Sequence, residues 1–149
     1  MKNLRGHLLW FENSGTPKDG QLWKRHVITE DLPGAYDVAL ADIDQDGDLD
    51  VAGSSWVLGN QFAWFENDGT PADGHWKKHL IEGDVDETRA IRAADFDADG
   101  DVDFLGVISV NPVANEDGVK EFKSGFVVWY EQYRDGDAIA FRRHDVASE

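Results

Sequence analysis

The sequence predicts an all-β repeat protein, and three observations lead there. An eleven-residue segment returns nearly unchanged: residues 10–20 read WFENSGTPKDG and residues 64–74 read WFENDGTPADG, with nine of eleven positions matching at an offset of 54. An Asp-rich segment returns as well, ADIDQDGDLD at 41–50 and ADFDADGDVD at 94–103, with seven of ten positions matching at an offset of 53. Between these landmarks the apolar residues fall in short runs bounded by Gly, Pro, Asn and Asp, and no stretch shows the 3.6-residue spacing of an amphipathic helix.

A unit of 53 residues fits just under three times into 149, and each unit reads as four short strands. The first strand is expected at 36–41 and 89–94. It is rich in small residues (Ala39, Ala41, Ala90, Ala93 and Ala94), as a crowded inner strand requires. The second follows each Asp-rich segment, at 49–56 and 102–110. The third is expected at 8–12, 62–66 and 126–131; it is apolar on both faces and so should be buried on both. The fourth, at 23–28, 76–81 and 141–146, is basic and mixed, as suits an outer edge. Four antiparallel strands per repeat of this length describe one blade of a β-propeller, which buries its faces only against neighbouring blades. The domain then divides into a half blade (7–34), a full blade (35–87) and a second full blade (88–149) carrying an insertion at 109–124. Propellers close with typically four to eight blades, so these residues make an incomplete ring or part of a larger assembly. A homo-oligomer or filament, or the remainder of a longer propeller, is the expected partner.

Charge narrows the function. The formal net charge is −16, from 14 basic and 30 acidic side chains, which argues against nucleic acid and against anionic membrane surfaces. No apolar run approaches the roughly 18 residues of a membrane span. There is no cysteine, hence neither a disulfide nor a thiolate metal site. Ten of the 30 acidic residues lie in the two nine-residue segments 42–50 and 95–103, all of them Asp; a merely solvated surface would scatter them and use Glu freely.

Those segments follow D-x-D-x-D-G-D-x-D. Carboxylates at the first, third and fifth positions converge if the chain turns tightly, and Gly47 and Gly100 stand where that turn needs a positive φ. Two carboxylates about 5 Å apart at an effective dielectric near 20 repel by about 3 kcal/mol, so four of them need a cation. Hard oxygen donors in this number suit Ca²⁺ better than Mg²⁺, which keeps its waters. One ion is expected on Asp42, Asp44, Asp46 and Asp50 through side chains, with the Asp48 carbonyl. A second is expected on Asp95, Asp97, Asp99 and Asp103, with the Asp101 carbonyl. An EF-hand would need Glu at loop position twelve, where Gly53 and Gly106 stand. A dockerin-like loop would start a helix, and 49–56 is a poor one.

The loop, the strand after it and the W-F-E-N-D-G segment together resemble the FG-GAP/VCBS repeat family, whose blades also form the head of integrin α subunits. The resemblance covers nearly the whole chain and implies that the Asp loop joins the first two strands of each blade and binds Ca²⁺. The first unit departs from the pattern by lacking an Asp loop.

No catalytic signature stands out. His26, His79 and His144 occupy the same place in each fourth strand, and Glu12, Glu66 and Glu131 the same place at the end of each third strand, so recurrence points to scaffold. His7 and His75 are unrepeated and have no evident partners. Trp10, Trp64 and Trp129 repeat in phase, as do Trp23 and Trp76, which favours packing; Trp56 is out of phase. The insertion 109–124 is where an unrepeated binding loop would sit. The expectation is a non-enzymatic, calcium-stabilised, extracellular or cell-surface module for structure, adhesion or self-assembly. The alternative is a carbohydrate-binding or accessory propeller part of a polysaccharide-active enzyme.

Overall fold

A computed structural model describes residues 6–85, 87–109, 113–114, 120–121 and 125–148. The chain is all-β, with twelve strands and a single 3₁₀ turn at Gly20–Leu22 among the described residues. In chain order the strands are β1 (Leu8–Glu12), β2 (Lys24–Thr29), β3 (Ala35–Ala41), β4 (Asp50–Ser55), β5 (Gln61–Glu66), β6 (Lys77–Glu82), β7 (Thr88–Ala94), β8 (Asp103–Ile108), β9 (Val113–Ala114), β10 (Lys120–Glu121), β11 (Phe126–Asp135) and β12 (Ala138–Ser148). They form two four-stranded antiparallel sheets, β3-β4-β5-β6 and β7-β8-β11-β12, and two ribbons, β1-β2 and β9-β10. Each pairing joins strands consecutive in the chain, as in hairpins, except β8–β11, between which the β9–β10 ribbon is inserted. The described residues close no ring.

The expected strand positions agree with these elements to within a few residues, because the repeat places the same turn signals at the same offsets. Most of the insertion 109–124 lies outside the described residues; what is described of it includes the short ribbon in which Lys120 opposes Ala114.

Two cores hold the sheets together. The larger lies between the four-stranded sheets and joins Ala52, Phe62 and Trp64 to Ile91, Phe104, Val128 and Tyr130. Each fully buried side chain of Phe size contributes about 1.5–3 kcal/mol. The smaller core lies between the β1-β2 ribbon and the opposite face of the first sheet, and contains Leu8, Ile28, Leu32, Val51, Ala63 and Phe65. β5 is therefore buried on both faces, as its apolar sequence requires. β1 is not: Phe11 is 51% exposed, since the ribbon covers the sheet from one side and has nothing on its other side among the described residues. β3 also departs from the crowded inner strand expected, and presents an exposed apolar side.

One polar device recurs three times. Trp10, Trp64 and Trp129 stack on His26, His79 and His144, with ring centroids 4.2, 4.1 and 4.6 Å apart. The same histidines place Nε2 2.9, 2.6 and 2.6 Å from Glu12, Glu66 and Glu131. The hydrogen bond from His26 holds the Glu12 carboxyl below its usual range, and that from His144 does the same for Glu131. This set pins the third strand to the fourth in every unit, so recurrence does correspond to a structural contact.

Candidate metal centres

The two Asp-rich segments are the loops joining β3 to β4 and β7 to β8. Their shape follows from backbone demands met inside each loop. Gly47 and Gly100 take φ of 100° and 99°, and the non-glycine residues two places earlier, Gln45 and Ala98, take 67° and 65°. The loops curl so that early carboxylates receive later backbone N–H groups. In the first loop the Gly47 N–H donates to Asp42 Oδ2 at 3.1 Å, Asp46 N–H to Asp44 Oδ1 at 3.2 Å and Asp48 N–H to Asp46 Oδ1 at 2.9 Å. In the second, Gly100 N–H donates to Asp95 Oδ2 at 3.1 Å, Asp99 N–H to Asp97 Oδ1 at 3.2 Å and Asp101 N–H to Asp99 Oδ1 at 2.9 Å. These three lacing bonds recur in both loops; the second adds one from Asp99 N–H to Asp95 Oδ1 at 3.2 Å, so both Asp95 oxygens accept there.

Convergence differs between the loops. Asp42, Asp44 and Asp50 offer carboxylate oxygens all within 4.8 Å of one another, as do Asp95, Asp97 and Asp99. Asp46 stands outside the first triad and Asp103 outside the second. Asp48 and Asp101, expected to contribute carbonyls, sit at the loop ends nearest the second strands. The first triad is half-buried to buried and the second exposed.

The last Asp of each loop acts as a clamp. Asp50 accepts from Ile43 N–H at 3.0 Å and Asn67 N–H at 2.8 Å, one bond on each oxygen. Asp103 accepts from Phe96 N–H at 3.1 Å and Gln132 N–H at 2.9 Å. Each thus ties its loop to the end of the third strand. Burial pushes the Asp50 carboxyl up to about 6; the two backbone donors oppose the shift, and the neighbouring charges of Asp44 and Asp46 add to it. Asp44 is raised by burial and by the charges of Asp46, Glu66 and Asp42, against the Asp46 backbone bond. Asp97 is raised by desolvation and by Asp99, Asp103 and Asp95, against the Asp99 bond. Ionised carboxylates crowded in this way are the electrostatic condition a cation relieves.

The donor set fits a hard cation. It consists of carboxylate oxygens, with no nitrogen or sulfur ligand, and Asp42 Oδ1 is buried without a hydrogen-bond partner. A bound cation would satisfy such an acceptor, as would water.

Several residues at these loops escaped the sequence reading. The Gln45 side chain crosses between loops, donating to the Gly100 carbonyl and to Asp101 Oδ1, both at 2.9 Å. Its counterpart in the second loop is Ala98, so the repeat itself gave no signal for the link. Arg134, from the β11–β12 hairpin, donates to the Asp44 carbonyl at 3.2 Å. With Glu66, Lys77 and His79 it lines a polar groove beside Asp44 and Asp46.

At the opposite ends of the strands lies an unrepeated cluster around Trp56, whose Nε1–H donates to Glu87. The Arg89 guanidinium lies 4.0 Å over the Trp56 ring and 3.1 Å from the same carboxylate. Trp56, out of phase with the repeat, thus reaches across from the first sheet to the Glu87–Arg89 ion pair at the start of β7. Neither His7 nor His75 joins a catalytic arrangement among the described residues; His75 makes one loose approach, 3.8 Å to Asp68.

No model of a known protein family matches the chain, and a search of curated proteins finds no match either.

Proposed function

We propose that this chain is a non-enzymatic, calcium-stabilised repeat module of the FG-GAP/VCBS kind, built of β-propeller blades and working outside cells in structure, adhesion or self-assembly. The observation that carries the reading is the doubled loop: the same motif, lacing and clamp occur twice, each with three carboxylates in mutual reach. Asp42, Asp44, Asp46 and Asp50, with the Asp48 carbonyl, would hold one Ca²⁺. Asp95, Asp97, Asp99 and Asp103, with the Asp101 carbonyl, would hold the other. A bound ion supplies the positive charge that offsets carboxylate repulsion. The residues themselves fix where the first strand ends and the second begins, so each loop sets the register of its sheet. Open-rimmed oxygen sites of this kind bind at roughly 10⁻⁴ to 10⁻³ M, which extracellular calcium fills.

Thermal melting with EDTA, then with Ca²⁺ or Mg²⁺ restored, tests the metal assignment. At a hundredfold excess over Kd a single site stabilises by about 2.7 kcal/mol, which for a chain of this size raises Tm by roughly 5–10 °C. A Tm indifferent to chelator refutes the calcium reading. Light scattering tests self-assembly separately: a stable monomer at all concentrations removes that role.

A second reading, a carbohydrate-binding or accessory part of a polysaccharide-active enzyme, rests on the polar groove beside the first loop, where Glu66, Lys77 and Arg134 stand near Asp44. Absence of binding heat with acidic and neutral oligosaccharides at millimolar concentration removes it.

A further inference from the structure

β5 and β11 are central strands, hydrogen-bonded on both sides, by β4 and β6 and by β8 and β12. β1 is their counterpart in the repeat, yet it pairs with β2 alone. Among the described residues, the edge of β1 that a β4 or β8 would occupy is open.

The sheet face beside this opening is apolar. On this side β3 presents Val38 and Leu40, exposed by 47 and 60%; Tyr36, before the bulge that precedes Val38, lies instead against Trp56 and Arg89 on the side of the second sheet. A strand with its large apolar residues outward is the reverse of a solvated strand. Leu49 is also more than half exposed, and an apolar concavity runs from Leu40 and Leu49 to Trp10 and Trp76. Contiguous apolar surface of this kind marks an interaction site.

The molecule contains the same face in its closed form. At an offset of 53, Ile91 and Ala93 are the counterparts of Val38 and Leu40. Ile91 is fully buried and Ala93 is packed into the main core, together with Ala39, Ala41, Ile43 and Ala52 of the preceding sheet; β3 lies against β7 there. What closes this face is thus the β3–β4 hairpin with its connecting loop.

We propose that the open edge of β1 and the Val38–Leu40 face together bind a β-hairpin of a partner polypeptide, of the kind that β3–β4 forms. The strand lying on β1 extends its sheet by backbone hydrogen bonds, and small apolar residues on both strands fill the concavity. The register can be stated. Gly53 opposes Ala63 and Gly106 opposes Val128, and a Cβ on Gly106 would meet Phe62 Cζ at 2.9 Å. Leu9 is the β1 counterpart of Ala63, so the partner strand's counterpart of Gly53 lies opposite Leu9; its side chain would face the far side of the ribbon, which is uncovered among the described residues, so that position need not be Gly. Leu40 and Leu49 stand where the closed interface has Ala93 and Val102, so the side chains facing them are no larger than Ala. A folded second copy has no such hairpin to give, because β3–β4 and β7–β8 are each bound within their own sheets.

The test fuses a second copy of residues 34–56, the segment that forms this hairpin, through a flexible linker ahead of the full chain, at an effective concentration in the millimolar range. Backbone amide exchange across β1 is expected to slow at least tenfold with calcium present; the fused segment carries the Asp loop 42–50, so this test rests on the proposed metal site, whose own failure is read separately by the EDTA melting experiment. Leu40→Glu or Val38→Lys in the receiving face is expected to abolish the slowing. Both side chains are about half exposed, so the chain folds without them. A free peptide of residues 34–56, added to the unfused chain, is expected to shift the β1 amide resonances. Unchanged exchange in the fusion together with unshifted amides at millimolar peptide overturns the proposal. So does slowing that both substitutions leave intact. An unfused chain that forms a dimer dissociated by Leu40→Glu also overturns it, and gives the face to a second copy.

Discussion

Replacing Asp50 with Asn separates the two tasks of the loop clamp, the backbone hydrogen bonds and the charge. In the metal-free protein Asp50 is enclosed, and its carboxyl is raised from 3.8 to about 6. Because the folded-state value lies above the unfolded one, the stability tied to this group is complete below about pH 4 and is lost as pH rises through about 6. At neutral pH the ionised form costs at most about 3 kcal/mol, reduced to roughly 1–2 kcal/mol because the loop beside it is open to water. Asn removes that cost. It also leaves one of the two donors, Ile43 N–H or Asn67 N–H, without an acceptor, which costs about 1–3 kcal/mol. The two changes nearly cancel, so in EDTA at pH 7 Asp50→Asn is expected to lie within about 1 kcal/mol of the parent. In excess calcium it is expected to lose most of the roughly 2.7 kcal/mol that a site a hundredfold above Kd confers. Urea unfolding of both proteins, in EDTA and in calcium, at pH 7 and pH 5, measures this. Equal destabilisation with and without calcium refutes the reasoning, as does a metal-free parent that does not gain stability relative to the variant between pH 7 and pH 5.

Gln45→Ala removes the two bonds from the first loop to Gly100 and Asp101; calorimetric calcium titration is expected to show the second site weakened by roughly five- to thirtyfold, since each lost bond is worth about 1 kcal/mol. Glu12 is held below its usual range by its bond from His26, so its contribution is present above about pH 4.5 and lost as pH falls further; Glu12→Gln is expected to flatten the fall in Tm between pH 5 and pH 3. Trp64 is 2% exposed at the centre of the main core, and Trp64→Ala is expected to cost about 3–5 kcal/mol in denaturant unfolding with calcium present.

The strands were legible because a repeat is read by comparison with itself. The WFEN segments located the third strands, the basic segments the fourth, and the Asp-rich segments the turn between the first and second. Gly47 and Gly100 were legible as positive-φ positions because the loop reverses over so few residues that an L side chain is strained there. What could not be read was whatever breaks the repeat. Gln45 bridges the loops and its counterpart Ala98 cannot. Glu87 and Arg89 capture Trp56 across sheets, and Arg134 reaches Asp44 from residues distant in the chain.

The sequence by itself determined the all-β class, the strand order within each unit, the two Asp loops and the Trp, His and Glu positions that join third strand to fourth. These depend on residues near in the chain or on one motif repeated, so local propensity and periodicity suffice. The tertiary structure decided which carboxylates converge, that Asp50 and Asp103 clamp backbone at the loop base, and that the β3 face is open while its β7 counterpart is closed. Those properties depend on which sheet lies against which, and burial is a property of the neighbour as much as of the residue. The same alternating apolar pattern is core in the β7 sheet, where another hairpin covers it. In the β3 sheet Val38 and Leu40 are exposed, because the described residues place only a two-stranded ribbon there.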